Sequence, residues 1–305
     1  MRFLAIGECM AELAPAEGSS TFTLGYAGDT FNTAWYISRI LPSADVSFLT
    51  AIGDDRVSRE MRSFLTESGI SDAHVRVIPG KTIGLYMIHL QDGERSFSYW
   101  RENSAARQLA ADPVRLGMAM EGQDVAYFSG ITLAILSPAA RSNLFDGLQI
   151  ARKAGCKIAF DPNLRPRLWA DTAKMKSVVT EAATFSDFVL PSFEDEATWF
   201  GDRSPDETLA RYLSAGAETV IVKNSAATVV YGHSGQKGEV AVDPVAGVVD
   251  TTAAGDSFNA ACLTSILAGK AIESAIDDGC SLAGHVVRQK GALVPVADIG
   301  LRARA

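Results

Sequence analysis

Short apolar runs alternate along the chain with longer segments of helical periodicity. Each run is too short for a helix, and most end in glycine, proline or a polar residue, which is typical of buried strands. The predicted strands are 2–7, 47–52, 125–129, 157–161, 187–191 and 219–223. The predicted helices are 31–41, 56–68, 138–154, 205–215, 256–268 and 272–289. This alternation predicts an α/β fold with a mainly parallel sheet that helices cover on both faces.

The segment 81–101 departs from this alternation and predicts an antiparallel hairpin. Its Asp-Gly pair at 92–93 is a favourable two-residue turn between residues of strong strand propensity. Counting back along the ladder places Tyr86 opposite Tyr99, and alternation adds Arg101 to the same face. A hairpin that displays two phenols and a guanidinium beside an α/β body predicts a lid over a ligand. A sheet that binds a partner protein is the alternative.

Length and charge narrow the class of protein. With 305 residues, the chain is long enough for two domains or for one large α/β domain. Lysine and arginine number 28 against 36 aspartate and glutamate, a net charge of −8, so the basic footprint of a nucleic-acid or membrane binder is missing overall. No apolar run reaches the roughly 18–20 residues that cross a bilayer, and Glu8 interrupts the start before a secretory apolar core develops. We expect a soluble, cytoplasmic protein.

The cysteines and histidines follow no disulfide or metal-binding pattern. The four cysteines lack CxxC spacing, and the four histidines lack HExxH or comparable spacing. Small buried thiols and surface or packing histidines explain them, and we expect no transition metal held by the protein.

The most informative stretch is 250–261, DTTAAGDSFNAA. Small residues at Ala253, Ala254 and Gly255 let the backbone turn closely at the head of a helix, where unpaired N–H groups and the positive dipole end can form an anion hole. A carboxylate at Asp256 is placed to accept a proton from an attacking hydroxyl. The alternative is an ordinary helix start with an acidic residue in its first turn.

This stretch resembles the C-terminal signature of the ribokinase-like (PfkB) carbohydrate kinases, with Ala253 in place of the commoner first glycine. A second match, AGDTFNTA at 27–34, is similar to the sugar-binding signature of that family. Two matches in this order are more specific than either alone, and the resemblance covers essentially the whole chain. It implies a single domain over 1–305, with a three-layer α/β/α body, a mainly parallel sheet and a small β lid. The lid is expected as an insertion at about 74–104 with a contribution from about 9–26.

Two further segments resemble the branch of that family that phosphorylates 2-keto-3-deoxygluconate. They are YWRENSAA at 99–106 and DPNLR at 161–165, and they contain Arg101 and Arg165. A keto-acid carries a carboxylate, and the planar fork of arginine suits bidentate carboxylate recognition better than contact with a neutral sugar. The alternatives are an ordinary surface ion pair for Arg101 and a phosphate contact for Arg165.

The resemblance also implies the remaining contacts. The expected substrate contacts are Gly28, Asp29, Asn32, Tyr86, Tyr99, Arg101 and Arg165. The expected nucleotide contacts are Asn163, Arg165, Lys223, Ser225, Thr228 and Gly255.

The nucleotide side departs from the family pattern. The NxxE motif of the family has Ser192 in its asparagine slot and Asp195 in its glutamate slot, and the loop after Lys223 lacks both glycines of the family's GxxG. Asp195 keeps a hard oxygen ligand that can hold Mg²⁺ through water, with Glu196 as a substitute, while an acidic helix start is the alternative. ATP and Mg²⁺ are the expected cofactors, and a monovalent cation is a third candidate.

Two glycine-containing segments match no phosphate motif. PGKT at 79–82 resembles the end of a P-loop, but Val75 occupies the earlier glycine position and no strand-to-helix transition is evident. The glycines of 232–238 are interpreted as a polar turn, because their spacing fits no phosphate motif and no helix pattern follows.

The resemblance implies ATP-dependent phosphorylation of 2-keto-3-deoxygluconate to its 6-phosphate. A fructokinase, a nucleoside kinase and a non-catalytic sugar-sensing protein are the alternatives. Asp256 disfavours the sensor, and two arginines disfavour a neutral nucleoside. We further expect a homo-oligomer formed through the lid, because lids of this family form dimer contacts and the hairpin offers apolar surface. The apolar residues are Ile83, Leu85, Met87, Ile88 and Leu90.

Overall fold

Strands and helices alternate through residues 1–16, 21–91 and 94–296, which the computed structural model describes. The strands in these ranges are β1 Arg2–Ile6, β2 Met10–Pro15, β3 Phe22–Ala27, β4 Asp45–Ile52, β5 Val75–Val77, β6 Leu85–Gln91, β7 Glu94–Trp100, β8 Val125–Ser129, β9 Lys157–Asp161, β10 Phe188–Val189, β11 Thr219–Val222, β12 Val229–His233 and β13 Gln236–Val240. The helices are α1 Asp29–Ile40, α2 Arg56–Glu67, α3 Pro113–Met120, α4 Gly130–Ile135, α5 Pro138–Lys153, α6 Thr172–Ala183, α7 Phe193–Trp199, α8 Pro205–Ala215, α9 Ala254–Leu267 and α10 Ile272–Val286.

The larger sheet has the strand order β13-β12-β11-β10-β9-β8-β1-β4-β5. Its strands from β11 to β5 pair in parallel, and β12 and β13 add antiparallel pairs at one edge. The prediction of a mainly parallel sheet is therefore confirmed, and the predicted bounds of β8 and β9 match those observed. The strand β10 is shorter than the predicted 187–191, since only Phe188 and Val189 pair with both neighbours.

Helices cover both faces of this sheet and give the predicted three layers. Neighbouring residues of β1 enter opposite hydrophobic clusters, because successive strand side chains point to opposite faces. Leu4 and Ile6 pack with the cluster that contains residues of α3, α5, α6 and α8. Phe3 and Ala5 pack with the cluster that contains residues of α1, α2, α9 and α10. Burial on both faces explains why the strands appear in the sequence as continuous apolar runs.

The smaller sheet, which we call the lid sheet, has the order β3-β2-β6-β7. The β6–β7 hairpin has the predicted register, with Tyr86 opposite Tyr99 and Gln91 opposite Glu94. The predicted turn at 92–93 lies outside the described residues. β5 lies inside the segment expected as the lid insertion but pairs with β4 of the larger sheet, so the lid strands of this segment begin at β6.

The apolar surface of the lid sheet differs from the expected one. Ile83 and Ile88 are buried, at 4% and 6% exposure. The side chain of Leu90 is outside the described part of the chain. Leu85 and Met87 are both half-buried. The large apolar side chains that are exposed on the lid strands are Phe22, Leu24, Phe97, Tyr99 and Trp100.

The segment Pro79–Thr82 contains a turn, whereas the predicted polar turn at 232–238 is wrong for all but its two central residues, because Gly232 lies in β12 and Gly238 in β13. The Pro79–Thr82 segment contains Gly80 at φ 71°, and the next element is the strand β6, not a helix. The turn between β12 and β13 is formed by Ser234 and Gly235, both in the left-handed region with φ of 50° and 78°. Neither segment precedes a helix, so neither has the architecture of a P-loop. Among the described residues, no helix combines the length and apolar character that a membrane span requires.

Candidate active site

The chemistry-bearing residues lie at the carboxyl edge of the parallel strands. Glu8 follows β1, Asp161 ends β9 and Lys223 follows β11. Ligands of open α/β sheets bind outside this edge, where the connecting loops leave room between neighbouring strands. The helices α1 and α9 start at the same edge and contact each other, and they place Asp29, Asn32 and Asp256 there.

Asp256 lies in the first turn of α9. The preceding Ala253 adopts φ 59°, the left-handed region that favours glycine, and no side chain caps the helix start. The amide of Asn32 donates to Asp256 Oδ2 at 2.8 Å, while Asn32 Oδ1 accepts from the Gly28 N–H at 3.3 Å. The expected base and two expected substrate residues therefore share one hydrogen-bonded cluster, and the expected anion hole directly precedes the base in the chain.

Gly28 is required by a close approach of two backbones. A Cβ at this position would lie 2.0 Å from the carbonyl oxygen of Glu8. Real Cβ atoms do not approach backbone atoms this closely, so any side chain here would push α1 away from the end of β1. This glycine sets the position from which Asn32 reaches Asp256.

A second cluster joins Asp29 to the loop after β9. Asn163 Nδ2 donates to Asp29 Oδ2 at 2.7 Å, and the Asn163 N–H donates to Asp161 Oδ1 at 3.1 Å. Asn163 has φ 34°, a backbone conformation that asparagine tolerates better than most residues. The hydrogen bonds to Asp29 and Asp161 thus hold Asn163 in this backbone conformation. The side-chain amide of Asn163 already donates to Asp29.

Lys223 is held beneath the start of α9. Its Nζ donates to Asp161 Oδ2 and to Asn259 Oδ1, both at 3.1 Å, and the Asn259 amide donates to Asp161 Oδ2 at 2.7 Å. The same Nζ lies 3.5 Å from the position that a Cβ on Gly255 would take. A fixed positive charge beside Gly255 strengthens the anion-binding character of the helix start.

Burial raises the pKa of Asp256 to about 8. The charges of Asp29 and Asp161 add to this rise, while the hydrogen bond from Asn32 and the charge of Lys223 oppose it. The titratable groups that face Asp256 from neighbouring elements are Asp29, Tyr36, Tyr127, Asp161 and Lys223. A carboxyl group with this pKa is a stronger proton acceptor than an ordinary aspartate.

For the phosphoryl transfer expected from the sequence, with Asp256 as the predicted base, we expect kcat/KM to rise with pH through an apparent pKa near 8 and to level off above it. The sign follows because a carboxyl group accepts a proton only in its ionised form, and kcat/KM reports the protein without bound substrate. Initial rates between about pH 6 and 9.5 measure the profile. A profile that is flat over this window would contradict the raised pKa.

The lid sheet places Tyr86 beside Tyr99, and the residue that follows its last strand, Arg101, beside Glu8. The rings of Tyr86 and Tyr99 are 5.9 Å apart, with Tyr86 buried against Glu12 and Tyr99 52% exposed. Arg101 follows β7 and forms an ion pair with Glu8. This pair is buried, so the alternative of an ordinary surface ion pair is wrong.

Arg165 and Asp195 form an ion pair at 3.2 Å between the loop after β9 and the first turn of α7. Burial raises the pKa of Asp195, and the charge of Arg165 opposes that rise. Glu196, expected as a substitute for Asp195, is fully buried and bonded to Arg211 and Tyr212, because successive helix residues point to different faces. Glu196 therefore does not face the site.

Two carboxylates of the site that could contact Mg²⁺ are each paired with a cationic side chain. Asp195 is paired with Arg165, and Asp161 is paired with Lys223. Among the described residues, no group of three or more aspartate, glutamate, histidine or cysteine side chains is arranged to hold a metal ion. The described side chains thus form no dedicated metal cage, although Mg²⁺ usually binds through one or two carboxylates together with substrate phosphates.

Ser225 and Thr228 are two of the expected nucleotide contacts, and in the described part of the chain no side-chain hydrogen bond links them to the cluster around Asp161 and Lys223. Ser225 is exposed at φ 47°, and the partly buried Thr228 uses its backbone carbonyl to accept from Asn224 at 3.5 Å. Both lie on the connection between β11 and β12, next to Lys223.

Sequence reasoning missed four buried polar residues of the site. They are Glu8, Tyr127, Asp161 and Asn259. Glu8 and Asp161 are charged residues at or just after the end of a buried strand, and Asn259 lies three residues after Asp256 on the same helix, so position alone could have indicated these three. Tyr127 lies inside an apolar strand and gave no such indication; its hydroxyl accepts from Asn259 at 3.0 Å.

The fold and this edge of the sheet define a ribokinase-like carbohydrate kinase. A structure of a PfkB protein from a Polaromonas species superposes with a TM-score of 0.82 at 26% identity, covering 94% of this chain and 95% of that one. The profile of the pfkB family carbohydrate kinases matches residues 2–298, and the chain belongs to that family.

Curated relatives include 2-dehydro-3-deoxygluconokinases and, at a lower identity of 28%, a fructokinase of Vibrio alginolyticus over 94% of this chain and 93% of the relative. The chain is 36% identical to the 2-dehydro-3-deoxygluconokinase of Haemophilus influenzae over 95% of this chain and 94% of the relative. It is also 36% identical to the 2-dehydro-3-deoxygluconokinase of Dickeya dadantii over 95% of this chain and 96% of the relative. The family and fold predicted from the two sequence motifs are confirmed.

Proposed function

We propose that the protein phosphorylates 2-keto-3-deoxygluconate at its terminal hydroxyl, with ATP as the phosphoryl donor. The observation that carries this proposal is the position of Asp256 in the first turn of an uncapped helix, at the same sheet edge as Arg101 and Arg165. A base, an anion-binding helix start and two guanidinium groups suit a substrate with a hydroxyl at one end and a carboxylate at the other. The names of the relatives support the same substrate.

Asp256 would accept the proton of the terminal hydroxyl as its oxygen attacks the γ-phosphorus of ATP. The bond from the γ-phosphorus to the bridging oxygen breaks, and that oxygen leaves with ADP. The N–H groups around Ala253, Ala254 and Gly255, together with the charge of Lys223, would stabilise the phosphoryl oxygens. Asn32 holds the carboxylate of Asp256 in place for this transfer.

Gly28 and Asp29 would face the substrate hydroxyls, and the carboxylate would meet Arg101 and Arg165. Arg165 is half exposed and pairs with Asp195, so its remaining N–H groups can reach a ligand. Lid residues Tyr86 and Tyr99 would cover the substrate. Closure would exclude water, which competes with the sugar for the phosphoryl group.

Membership of a kinase family implies ATP as co-substrate, and we propose Mg²⁺ as the counter-ion of its phosphates. Asp195 would contact this ion only through water, since its carboxylate is already paired with Arg165. No described side chain is assigned to a monovalent cation. We also propose Asn163, Ser225 and Thr228 as nucleotide contacts.

We also propose that the protein forms a homo-oligomer through the lid sheet. Phe22, Leu24 and Trp100 are 42%, 47% and 57% exposed and lie on the lid strands β3 and β7. β3 and β7 are the two edge strands of the lid sheet, and exposed apolar side chains on sheet edges favour pairing with another chain. Sedimentation equilibrium checks this proposal, and a monomer would contradict it.

A coupled assay of ADP release tests the proposed function. The substrates are 2-keto-3-deoxygluconate, its galactonate epimer, fructose and a nucleoside, each with ATP and Mg²⁺. We expect the highest kcat/KM with one of the two keto-acids. A preference for fructose or for the nucleoside would identify another kinase of the family, and absence of ADP release with every substrate would favour the sensor.

A further inference from the structure

The lid sheet is joined to the body by four chain connections that meet at Glu8. They are the connections β1–β2, β3–α1, the segment before β6 and the segment after β7. Glu8 lies on the first of them and is 3% exposed. A carboxylate this deeply buried needs partners that offset its loss of hydration.

Glu8 contacts all of the other three connections. Its carbonyl oxygen lies 2.0 Å from the position of a Cβ on Gly28, and its Oε1 lies 2.8 Å from the position of a Cβ on Gly84. Arg101 Nη2 and Ser104 Oγ both donate to its carboxylate. Because Gly28 makes room for the backbone of Glu8, Gly84 makes room for its carboxylate and two donors bind that carboxylate, the four connections are packed around a single residue.

Arg101 keeps hydrogen-bonding capacity that its partner does not use. The residue is 9% exposed, and its Nε is buried without a hydrogen-bond partner in the described part of the chain. Buried donors are rarely left unpaired unless a ligand or water completes them. Glu8 therefore fixes the guanidinium from one side and neutralises its charge, while other donors stay available.

We propose that Glu8 is the positioning residue of acid recognition: it anchors Arg101 at the base of the lid so that the guanidinium meets the substrate carboxylate in a fixed orientation. This inference rests on the proposed function, because it assigns the acid as the ligand of Arg101. Glu8 does not touch the reacting atoms; it acts through Arg101 and through the lid connections.

The first measurement needs no substrate. Backbone amides of Ser104 and Ala105 bond to carbonyls on the lid connections, so their hydrogen exchange reports opening of the lid base. We expect Glu8→Gln and Glu8→Ala to speed this exchange about tenfold or more. The control is Asp187→Asn, which removes a comparably buried carboxylate that pairs with Arg152 at the opposite edge of the sheet. Exchange that stays at the unmodified rate in both Glu8 variants would overturn the proposal.

The second measurement is a double-mutant cycle on kcat/KM for the keto-acid. We expect Glu8→Gln to lower kcat/KM about tenfold in the unmodified protein and to change it by no more than about twofold in the Arg101→Met background. Equal losses in the two backgrounds would show that Glu8 does not act through Arg101 and would overturn the proposal.

Thermal unfolding of the same variants shows whether a loss of activity comes from a loss of folding stability. Arg101→Met leaves the buried carboxylate of Glu8 without its cationic partner, so we expect this variant to unfold at a lower temperature than the unmodified protein. Adding Glu8→Gln removes that carboxylate and should restore part of the loss. A double variant that unfolds below both single variants would contradict the pairing.

The proposed function and this inference fail in distinguishable ways. A protein that phosphorylates fructose but neither keto-acid refutes the substrate assignment and, with it, acid recognition by Arg101. A protein that phosphorylates the keto-acid but gives an additive cycle refutes the role of Glu8 alone.

Discussion

In the Asp256→Asn variant, we expect kcat for the keto-acid to fall by about 10²–10⁴-fold, with substrate binding largely retained. Asparagine has the shape of aspartate and can still bond to the amide of Asn32, but it cannot accept the hydroxyl proton. Coupled ADP release measures kcat, and calorimetric titration with the keto-acid measures binding. Asp278→Asn is the control, because Asp278 bonds to Ser265 and Lys270 away from the site.

The same variant has an expected effect on stability. Because the folded pKa of Asp256 is raised to about 8 from an unfolded value near 3.8, the native state holds more protons than the unfolded chain between these values. The carboxyl group therefore lowers stability as pH rises through this window, and Asp256→Asn should unfold at a higher temperature than the unmodified protein at about pH 8.

For the first of these two measurements, a turnover of Asp256→Asn within about threefold of the unmodified protein would show that Asp256 is not the base.

The second large effect is expected for Arg101→Met, which keeps the apolar stem and removes the guanidinium. We expect kcat/KM for the keto-acid to fall about 100-fold or more, because a buried donor to the carboxylate is lost. For fructose, which has no carboxylate, we expect a change of less than about fivefold. The ratio of kcat/KM for the two substrates is the quantity to measure.

An equal loss for the keto-acid and for fructose would contradict acid recognition by Arg101. Such a result would leave the residue as an anchor of the lid base, through its bond to Glu8. Arg165→Met serves as the comparison, since Arg165 comes from the loop after β9 and not from the lid. A selective loss with Arg165→Met alone would assign the carboxylate to Arg165.

The strands buried in the larger sheet and the register of the β6–β7 hairpin could be predicted from the sequence, because local sequence features determine them. Apolar runs such as 125–129 are buried on both faces, and the register counted from the Asp-Gly pair in the sequence is the one that β6 and β7 adopt, with Tyr99 opposite Tyr86. The edge strands β12 and β13 were missed, since their glycines resemble a polar turn. The other two strands of the lid sheet are β2, which pairs with β6, and β3, which pairs with β2. No local sequence pattern specifies these pairings.

Side-chain partners within the site could be predicted less well. Arg101 and Glu8 are 93 positions apart, and Asp29 and Asn163 are 134 apart, so only the folded chain brings them together. The choice between Asp195 and Glu196 depended on which face of α7 each residue occupies, and the acidic helix start that was considered as the alternative does not specify that face. Asp256 was found because its motif combines a helix start and a carboxylate within a few residues.

The central claim is that Asp256 deprotonates one end of a sugar acid whose other end is held by arginine. A crystal structure with the keto-acid and a non-hydrolysable ATP analogue tests it most directly. We expect the terminal hydroxyl within hydrogen-bonding distance, about 2.6–3.2 Å, of an Asp256 carboxylate oxygen, and the substrate carboxylate on Arg101 or Arg165. A hydroxyl that contacts another residue, with Asp256 turned away from the γ-phosphate, would contradict it.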